Sequence, residues 1–405
     1  MAERADVVII GGGIMGTSLA FGLTQLGVRD VIVVERRTLA AGASGRTGAL
    51  LRQHYTNVPE ATLAHLSLQT YTNWDDIVGG NCGFVRTGAI VTVSTSGGDV
   101  VNIERMRRNI AMQNRVGIAS EVISAARYEE LQPFAQMNDV VVAAYERDSG
   151  YVDALAATRG MADAAIRNGA RIAEGLTVTG IMTGSEGVTG VETNGGPIYS
   201  NTVVCAAGAW SVPLLSAIGV EVPIEAQRVQ VVVLSRPFDM PETGTMTYVD
   251  TSAGFFCRNA GPNRTLAGVG GGEFHNIVNP FEYDDRMDLG FDEAVKTSLA
   301  LRMPSMARAT TLYGYACLYD MTPDLHPILG SAGGPDGLHL MLGFCGAGFK
   351  KGPAIGQCMA ELIVNGQSST VDLSPFLLSR YTSETWQEPW SPDEYSLSSD
   401  FGHKF

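Results

Sequence analysis

Gly11, Gly13 and Gly16 form G-x-G-x-x-G where an apolar run, residues 6–10, passes into an apolar helical stretch, residues 14–26. No other stretch limits the fold as strongly. A buried strand that enters a glycine turn and leaves as a helix needs the first glycine for the turn, the second so that backbone can approach a pyrophosphate, and the third for close helix packing. Amides at the helix start then face negative charge. Gly27 ends the helix, and residues 31–34 form a second strand closing on Glu35, about 20 residues beyond the motif, where a carboxylate can accept both ribose hydroxyl hydrogens. A plain glycine turn would account for the motif but not for this context. The chain is expected to open with a Rossmann-like βαβ unit that binds a dinucleotide, which sets the fold class as α/β.

Those residues do not separate NAD from FAD. The next segment does: LAAGASGRTGALLRQHY places small residues, Ser44, Thr47, Arg46 and Arg52 directly after the ribose-binding strand. A loop carrying amides and hydroxyls past a second phosphate toward an isoalloxazine ring suits FAD, where an NAD enzyme would have an ordinary connection and helix. With GGGIMG and Glu35, the segments ASGRTG, LLRQHY, VVCAAGAWS, YDMTPDLHPILG and GFCGAGFKKGPAIG complete a pattern over about residues 5–365. The chain thereby resembles the FAD-dependent amine and amino acid oxidoreductases, the family of sarcosine oxidase, the dimethylglycine dehydrogenases, glycine oxidase and D-amino acid oxidase. The sarcosine oxidase and dimethylglycine dehydrogenase branch is the nearest in pattern. The resemblance implies that FAD lies along Gly11, Gly13, Ile14, Met15 and Gly16, then Glu35 and Arg36, then Ser44, Gly45, Arg46, Thr47 and Gly48. It also implies Ala207, Gly208 and Cys317 as cofactor contacts, with Gly343, Gly346, Gly348, Phe349 and Lys350 from the second glycine loop.

The remaining chain fits an FAD-binding domain assembled from 1–85, 150–225 and 325–370, a discontinuous α+β substrate domain from 86–149 and 226–324, and a tail, 371–405. Helices are expected from Pro59, whose apolar stripe is Leu63, Leu66, Tyr71 and Trp74, and over 103–116, 153–168, 292–303 and 353–363. A strand or hairpin is expected over 84–93. Further strands are expected at VVVAAYE, over 176–181, 188–193 and 202–206, and at VQVVVLS, TMTYV, GFFCR, TLAGV and LHLMLGF. The group between residues 229 and 318 reads as a mainly antiparallel sheet. The polar tail after Pro375 reads as a partly ordered wrap.

Within the family pattern, Arg52 stands where an arginine holds the substrate carboxylate and Lys350 where its lysine partner stands. A guanidinium grips a carboxylate with two parallel hydrogen bonds, and an ammonium adds a compact charge. Solvated surface roles are the plain alternatives. Arg46 is expected to balance flavin or phosphate charge or to brace its loop, and His54 to shape the flavin environment, move a proton or make a structural hydrogen bond. Cys317 begins CLYDMTPD, similar to the segment whose cysteine joins the flavin through sulfur in monomeric sarcosine oxidase and pipecolate oxidase. A small buried cysteine is the alternative. Tyr319 and Thr322 are expected wall residues and Asp324 a turn organiser. The chain departs from monomeric sarcosine oxidase in one respect: no lysine lies between residues 229 and 294, where TLAGVGGGEFHN offers only His275, so oxygen reactivity is not implied.

Charge limits the partners. With 28 basic and 42 acidic residues the net charge is −14, which opposes binding to nucleic acid or anionic membrane, so an anionic substrate needs a local cationic site. Only Lys296, Lys350, Lys351 and Lys404 supply ammonium groups. No run approaches the roughly 20 apolar residues of a membrane span, and the start does not read as a signal peptide, so cytoplasmic residence is the expectation. The six cysteines lack metal-ligand spacing. The expected reaction is oxidation of the C–N bond of a small carboxylated amine such as an N-substituted amino acid, with a hydride equivalent passing to flavin N5 and the resulting imine hydrolysing. Glycine or D-amino acid deamination is an alternative, as are an NAD-dependent dehydrogenase and a flavin-sensing binding module. Oxygen, a quinone or an electron-transfer protein would serve as acceptor, and oligomeric state is not readable.

Overall fold

The computed structural model describes residues 3–94, 100–137, 140–242, 244–270 and 274–381. Four buried residues, Val7–Ile10, form the first strand of the βαβ unit, and Ile14–Gln25 and Val31–Glu35 complete it. Five parallel strands stand in the order Arg171–Glu174, Val31–Glu35, Val7–Ile10, Val203–Cys205 and Leu338–Leu342, with Ile328–Ser331 antiparallel at the edge. The continuous apolar runs of Val31–Glu35, Val7–Ile10 and Val203–Cys205 follow from having both faces covered. Val7, Ile9, Val31 and Val33 pack with side chains of the helices Ile14–Gln25, Ala154–Arg167 and Gly352–Asn365. Val8, Ile10, Ile32 and Val34 pack with Ile181, Val188, Val191 and Ile198 of a separate four-stranded sheet.

The helices Ile14–Gln25 and Gly352–Asn365 cross at glycine. A Cβ at Gly356 would lie 2.5 Å from the Ser18 carbonyl carbon, and one at Gly22 3.0 Å from the Gly356 oxygen. Such a backbone contact cannot yield cheaply. Gly356→Ala should cost about 1–3 kcal/mol by overpacking, read as a lower thermal midpoint; an unchanged midpoint would mean that the two helices move apart freely.

The second large sheet has nine strands and is antiparallel except where Thr247–Asp250 runs parallel to Ala89–Ser94. Its path is Asn276–Ile277, Glu225–Ser235, Arg264–Val269, Phe255–Asn259, Thr247–Asp250, Ala89–Ser94, Val140–Glu146 and Ser120–Ile123, with Thr310–Met321 also paired to Glu225–Ser235. Phe291, Val295 and Leu299 of the helix Phe291–Ala300 cover one face. The architecture is thus a Rossmann-like α/β layer joined to an α+β part that is discontinuous in sequence.

Three readings change. Of the strand or hairpin expected over 84–93, strand forms in two pieces that do not pair with each other: Val85–Arg86 pairs with Gly150–Tyr151, whereas Ala89–Ser94 enters the nine-stranded sheet, because Gly88 at φ 72° turns the chain between them. The strand Thr310–Met321, absent from the sequence reading, carries a mixed exposure pattern along TTLYGYACLYDM and is defined by its ladder with Glu225–Ser235. Arg171–Glu174, short and charged, was also not expected. The tail is described only to Tyr381, and the wrap expected beyond it lies outside the described residues. No helix among the described residues is long and apolar enough to cross a membrane.

Candidate active site

A cavity of about 720 Å³ opens between the carboxyl ends of the parallel strands and the second face of the nine-stranded sheet, the usual place for a ligand in an open α/β sheet. At one end stand Gly11, Gly13, Ile14 and Met15. Gly11 has φ 114°, and a Cβ there would lie 2.5 Å from the Ala206 oxygen, so only glycine makes this turn. The Ser44 hydroxyl accepts from Ile14 N at 2.9 Å, tying the second loop to the helix start. Glu35 accepts from Gly12 N and Arg37 N, both at 2.9 Å, and faces the cavity. Arg36 lies 4.5 Å above the Trp210 ring and 5.8 Å from Phe281, beside Ala207 and Gly208.

Thr47, Gly48 and Arg46 continue the wall. Arg46 is committed: it donates to Tyr283 Oη (3.2 Å), the Ala316 oxygen (2.9 Å) and Asp285 (2.7 Å), bracing the loop against the nine-stranded sheet. Gly16 and Gly45 are absent from the wall because they pack behind it. A Cβ on Gly16 would lie 2.0 Å from the Gly11 oxygen, and one on Gly45 2.4 Å from the Ala40 oxygen. A cavity that takes in a glycine-bearing helix N-terminus, a carboxylate and a run of small residues fits a dinucleotide. The described residues hold no cluster suited to a metal ion.

The other end is cationic. Arg52 donates to the His54 carbonyl, and its guanidinium sits 4.9 Å from the Tyr55 ring. Lys350 is 8% exposed, lines the cavity, and makes no hydrogen bond or ion pair among the described residues. Burial, then Arg52 and Lys351, push its pKa well below the ordinary ammonium value, against the pull of Glu60. Its neighbour Lys351 is fully buried, pairs with Glu60 Oε1, and lies 4.7 Å from the same Tyr55 ring. Glu60 Oε2 meets His326 Nδ1 at 2.7 Å and accepts from Asn57 Nδ2 at 2.9 Å. Burial opposes ionisation of Glu60, yet Lys351 and His326 outweigh it and hold the carboxyl well below its usual range.

Along Thr310–Met321, residues 317–320 border the cavity. Cys317 is 4% exposed; burial pushes its thiol up to about 12 despite Arg46 and Arg228. Tyr319 is a wall residue whose ring needs Gly346, since a Cβ there would lie 2.5 Å from it. Gly348 and Phe349 also line the cavity, whereas Gly343 packs against Thr322 behind it, where a Cβ would fall 2.3 Å from Thr322 Cγ2. Asp324 binds Arg380 at 2.8 and 3.1 Å and organises the turn.

Asp320 was not singled out by sequence. It accepts from Gly343 N at 2.7 Å, borders the cavity, and is pushed up to about 6 by burial, against the Gly343 hydrogen bond. A buried acid raised in this way stabilises the fold while protonated, and that contribution is lost as pH rises through about 6. Asp320→Asn keeps the acceptor for Gly343 and removes the titration. The variant's thermal midpoint should therefore gain on the parent between pH 4 and pH 7; parallel pH profiles would contradict this.

The structure does not bring His54 to the wall. It is 1% exposed, touches Gln113 Nε2 through Nδ1 at 3.1 Å, and is held down to about 3 by burial and Arg52. A direct part in proton transfer finds no support in that place. His275 contacts the Val269 oxygen at 3.1 Å and is likewise off the cavity. Tyr55, Glu60, His326 and Lys351 went unread because their grouping joins segments far apart in the chain. The doubled lysine in GFKK was the only hint, and N-x-x-E before a helix reads as a cap, which Asn57 also is, accepting from Glu60 N at 2.9 Å.

A family model described as FAD dependent oxidoreductase matches residues 6–362. Among curated proteins, the mitochondrial pyruvate dehydrogenase phosphatase regulatory subunit of Mus musculus is 30% identical over 91% of this chain and 42% of its own length. Mitochondrial sarcosine dehydrogenase of Mus musculus is 27% identical over 91% of the chain and 40% of its own length. The chain thus spans about two fifths of these relatives. Among solved structures, L-proline dehydrogenase from P. horikoshii superposes with a TM-score of 0.85 at 25% identity, covering 94% of this chain and 99% of that one.

Proposed function

The chain belongs to the FAD dependent oxidoreductase family, and from that premise we propose that it oxidises the C–N bond of a small carboxylated amine, an N-substituted amino acid of the sarcosine or dimethylglycine kind. The observation that carries this reading is Lys350, a buried amine beside Arg52 on the cavity wall that has no counter-ion among the described residues and whose ammonium form burial disfavours. An incoming carboxylate would pair with Arg52 and restore the ammonium form of Lys350. Gly11, Gly13, Glu35, Ser44, Thr47 and Gly48 would hold FAD, which supplies the two-electron acceptor when bound. Arg52 grips the carboxylate and Lys350 completes the grip; together they fix the orientation of the amine-bearing carbon. Tyr319 and Tyr55 close the walls and exclude water. The substrate reacts as the neutral amine, and the resulting imine hydrolyses to carbonyl and amine.

Cys317 is the proposed attachment point for the cofactor, supported by its place on the wall; colour lost from protein unfolded in acid would reject it. Oxygen and a carrier protein or quinone are the candidate acceptors, distinguished by peroxide release under air. The reaction is tested by anaerobic addition of sarcosine, dimethylglycine, proline and D-amino acids to the FAD-loaded protein. Loss of the oxidised flavin absorbance with at least one carboxylated amine is expected. A flavin that none of them bleaches, or a purified protein without FAD, would overturn the proposal.

A further inference from the structure

Lys350 and Lys351 are neighbours in the chain, yet their surroundings give them opposite chemistry. Both lie in the short turn Phe349–Lys351, a 3₁₀ helix in which successive side chains leave the axis about a third of a turn apart. Lys351 is held on Glu60 Oε1, and the Phe349 carbonyl accepts from Tyr71 Oη at 2.9 Å. With both neighbours tied down, Lys350 stands on the cavity wall, 8% exposed and without a hydrogen bond or ion pair among the described residues. Arg52 and Lys351 both disfavour an ammonium there, and the carboxylate that attracts one, Glu60, is already shared between Lys351 and His326. Tyr55 and Tyr319 border the same cavity and are kept protonated by burial, so neither supplies an anion. His54 lies off the wall, and Asp320 is turned to Gly343 and Gly208, with Gly343 N on its carboxyl group.

We propose that Lys350 is a catalytic base, the amine that takes the proton from the ammonium group of the incoming substrate. The role rests on the carboxylated-amine reading above. Such a molecule arrives at neutral pH as a zwitterion, whose ammonium nitrogen has no lone pair to support loss of hydride from the adjacent carbon. In the cavity an N–H bond of that ammonium breaks, its electron pair stays on the substrate nitrogen, and the proton forms an N–H bond at Lys350 Nζ. The lysine ammonium so made is favoured by the substrate carboxylate. No proton enters or leaves the cavity, and the substrate amine is left in the form that reacts.

Propionate, a carboxylate with no amine, isolates the acceptor. Its binding to the FAD-loaded protein, followed by perturbation of the flavin spectrum, should draw about one proton from weakly buffered, mildly alkaline solution, and binding to Lys350→Met should draw none. With the amines named above, anaerobic flavin reduction extrapolated to saturation should vary little with pH in the parent. In Lys350→Met it should be slower by about 100-fold to 10,000-fold near neutrality. The defect should shrink about 10-fold for each pH unit of alkalisation, as solvent removes the proton instead. A lysine that only anchored the carboxylate would change affinity and leave the saturated rate and its pH profile as in the parent. That result overturns the proposal, as does propionate binding without proton uptake; seen together with bleaching by an amine, either rejects the base alone. Proton uptake on propionate binding with no bleaching by any amine rejects the reaction and leaves Lys350 a carboxylate anchor. No perturbation by propionate removes anchor and base together.

Discussion

Arg52→Ala should weaken capture of carboxylated amines by roughly 30-fold to 1,000-fold, the effect of truncating one partner of a buried charge-assisted hydrogen bond. FAD content should stay at the parent level, because Arg52 bonds to the His54 carbonyl and stacks on Tyr55 rather than supporting the glycine turns around Gly11. The check is the substrate dependence of anaerobic flavin reduction, with absorbance of the purified variant giving cofactor content. Capture like that of the parent would remove Arg52 from the site. Lys350→Met, which keeps length and removes charge, should share the defect. Unaltered capture in that variant would break the pairing of the two cations.

Lys351→Met should act on stability, by about 3–5 kcal/mol, because it leaves Glu60 buried and ionised without its ammonium partner. Glu60→Gln in the same chain should recover part of the loss, since the pair is then removed together. Denaturant unfolding of the two single variants and the double variant measures this. Strictly additive losses would show that the pair is not coupled. The same pair predicts an acid limit. A carboxyl held below its unfolded range contributes stability at neutral pH and loses it as pH falls through its folded value. Stability of the parent should accordingly fall on acidification more steeply than that of the double variant.

Much of the nucleotide half was legible because its signals are local. Glycines at 11 and 13, the buried run before them and Glu35 each answer a steric or hydrogen-bonding demand met within one βαβ unit. Most strands of the nine-stranded sheet were also visible as short apolar runs. The strand Thr310–Met321 was not, since its exposure mixes along its length and its identity comes from pairing with Glu225–Ser235. Of the strand or hairpin expected over 84–93, strand is what forms, and the partners of both short strands come from elsewhere in the chain.

The sequence by itself determined the α/β class, the dinucleotide turn and the two cations, Arg52 and Lys350, that border the cavity. Tertiary structure alone decided which of the adjacent lysines is paired, because Glu60, 291 residues from Lys351, neutralises that one and leaves its neighbour without a counter-ion among the described residues. It also decided that Val231, Val249 and Phe256, from three separate strands, line one cavity. The physical reason is range. Backbone turns and helix starts are set by neighbouring residues, whereas the charge state of a buried group and the chemistry of a cavity wall depend on which distant segments fold against them.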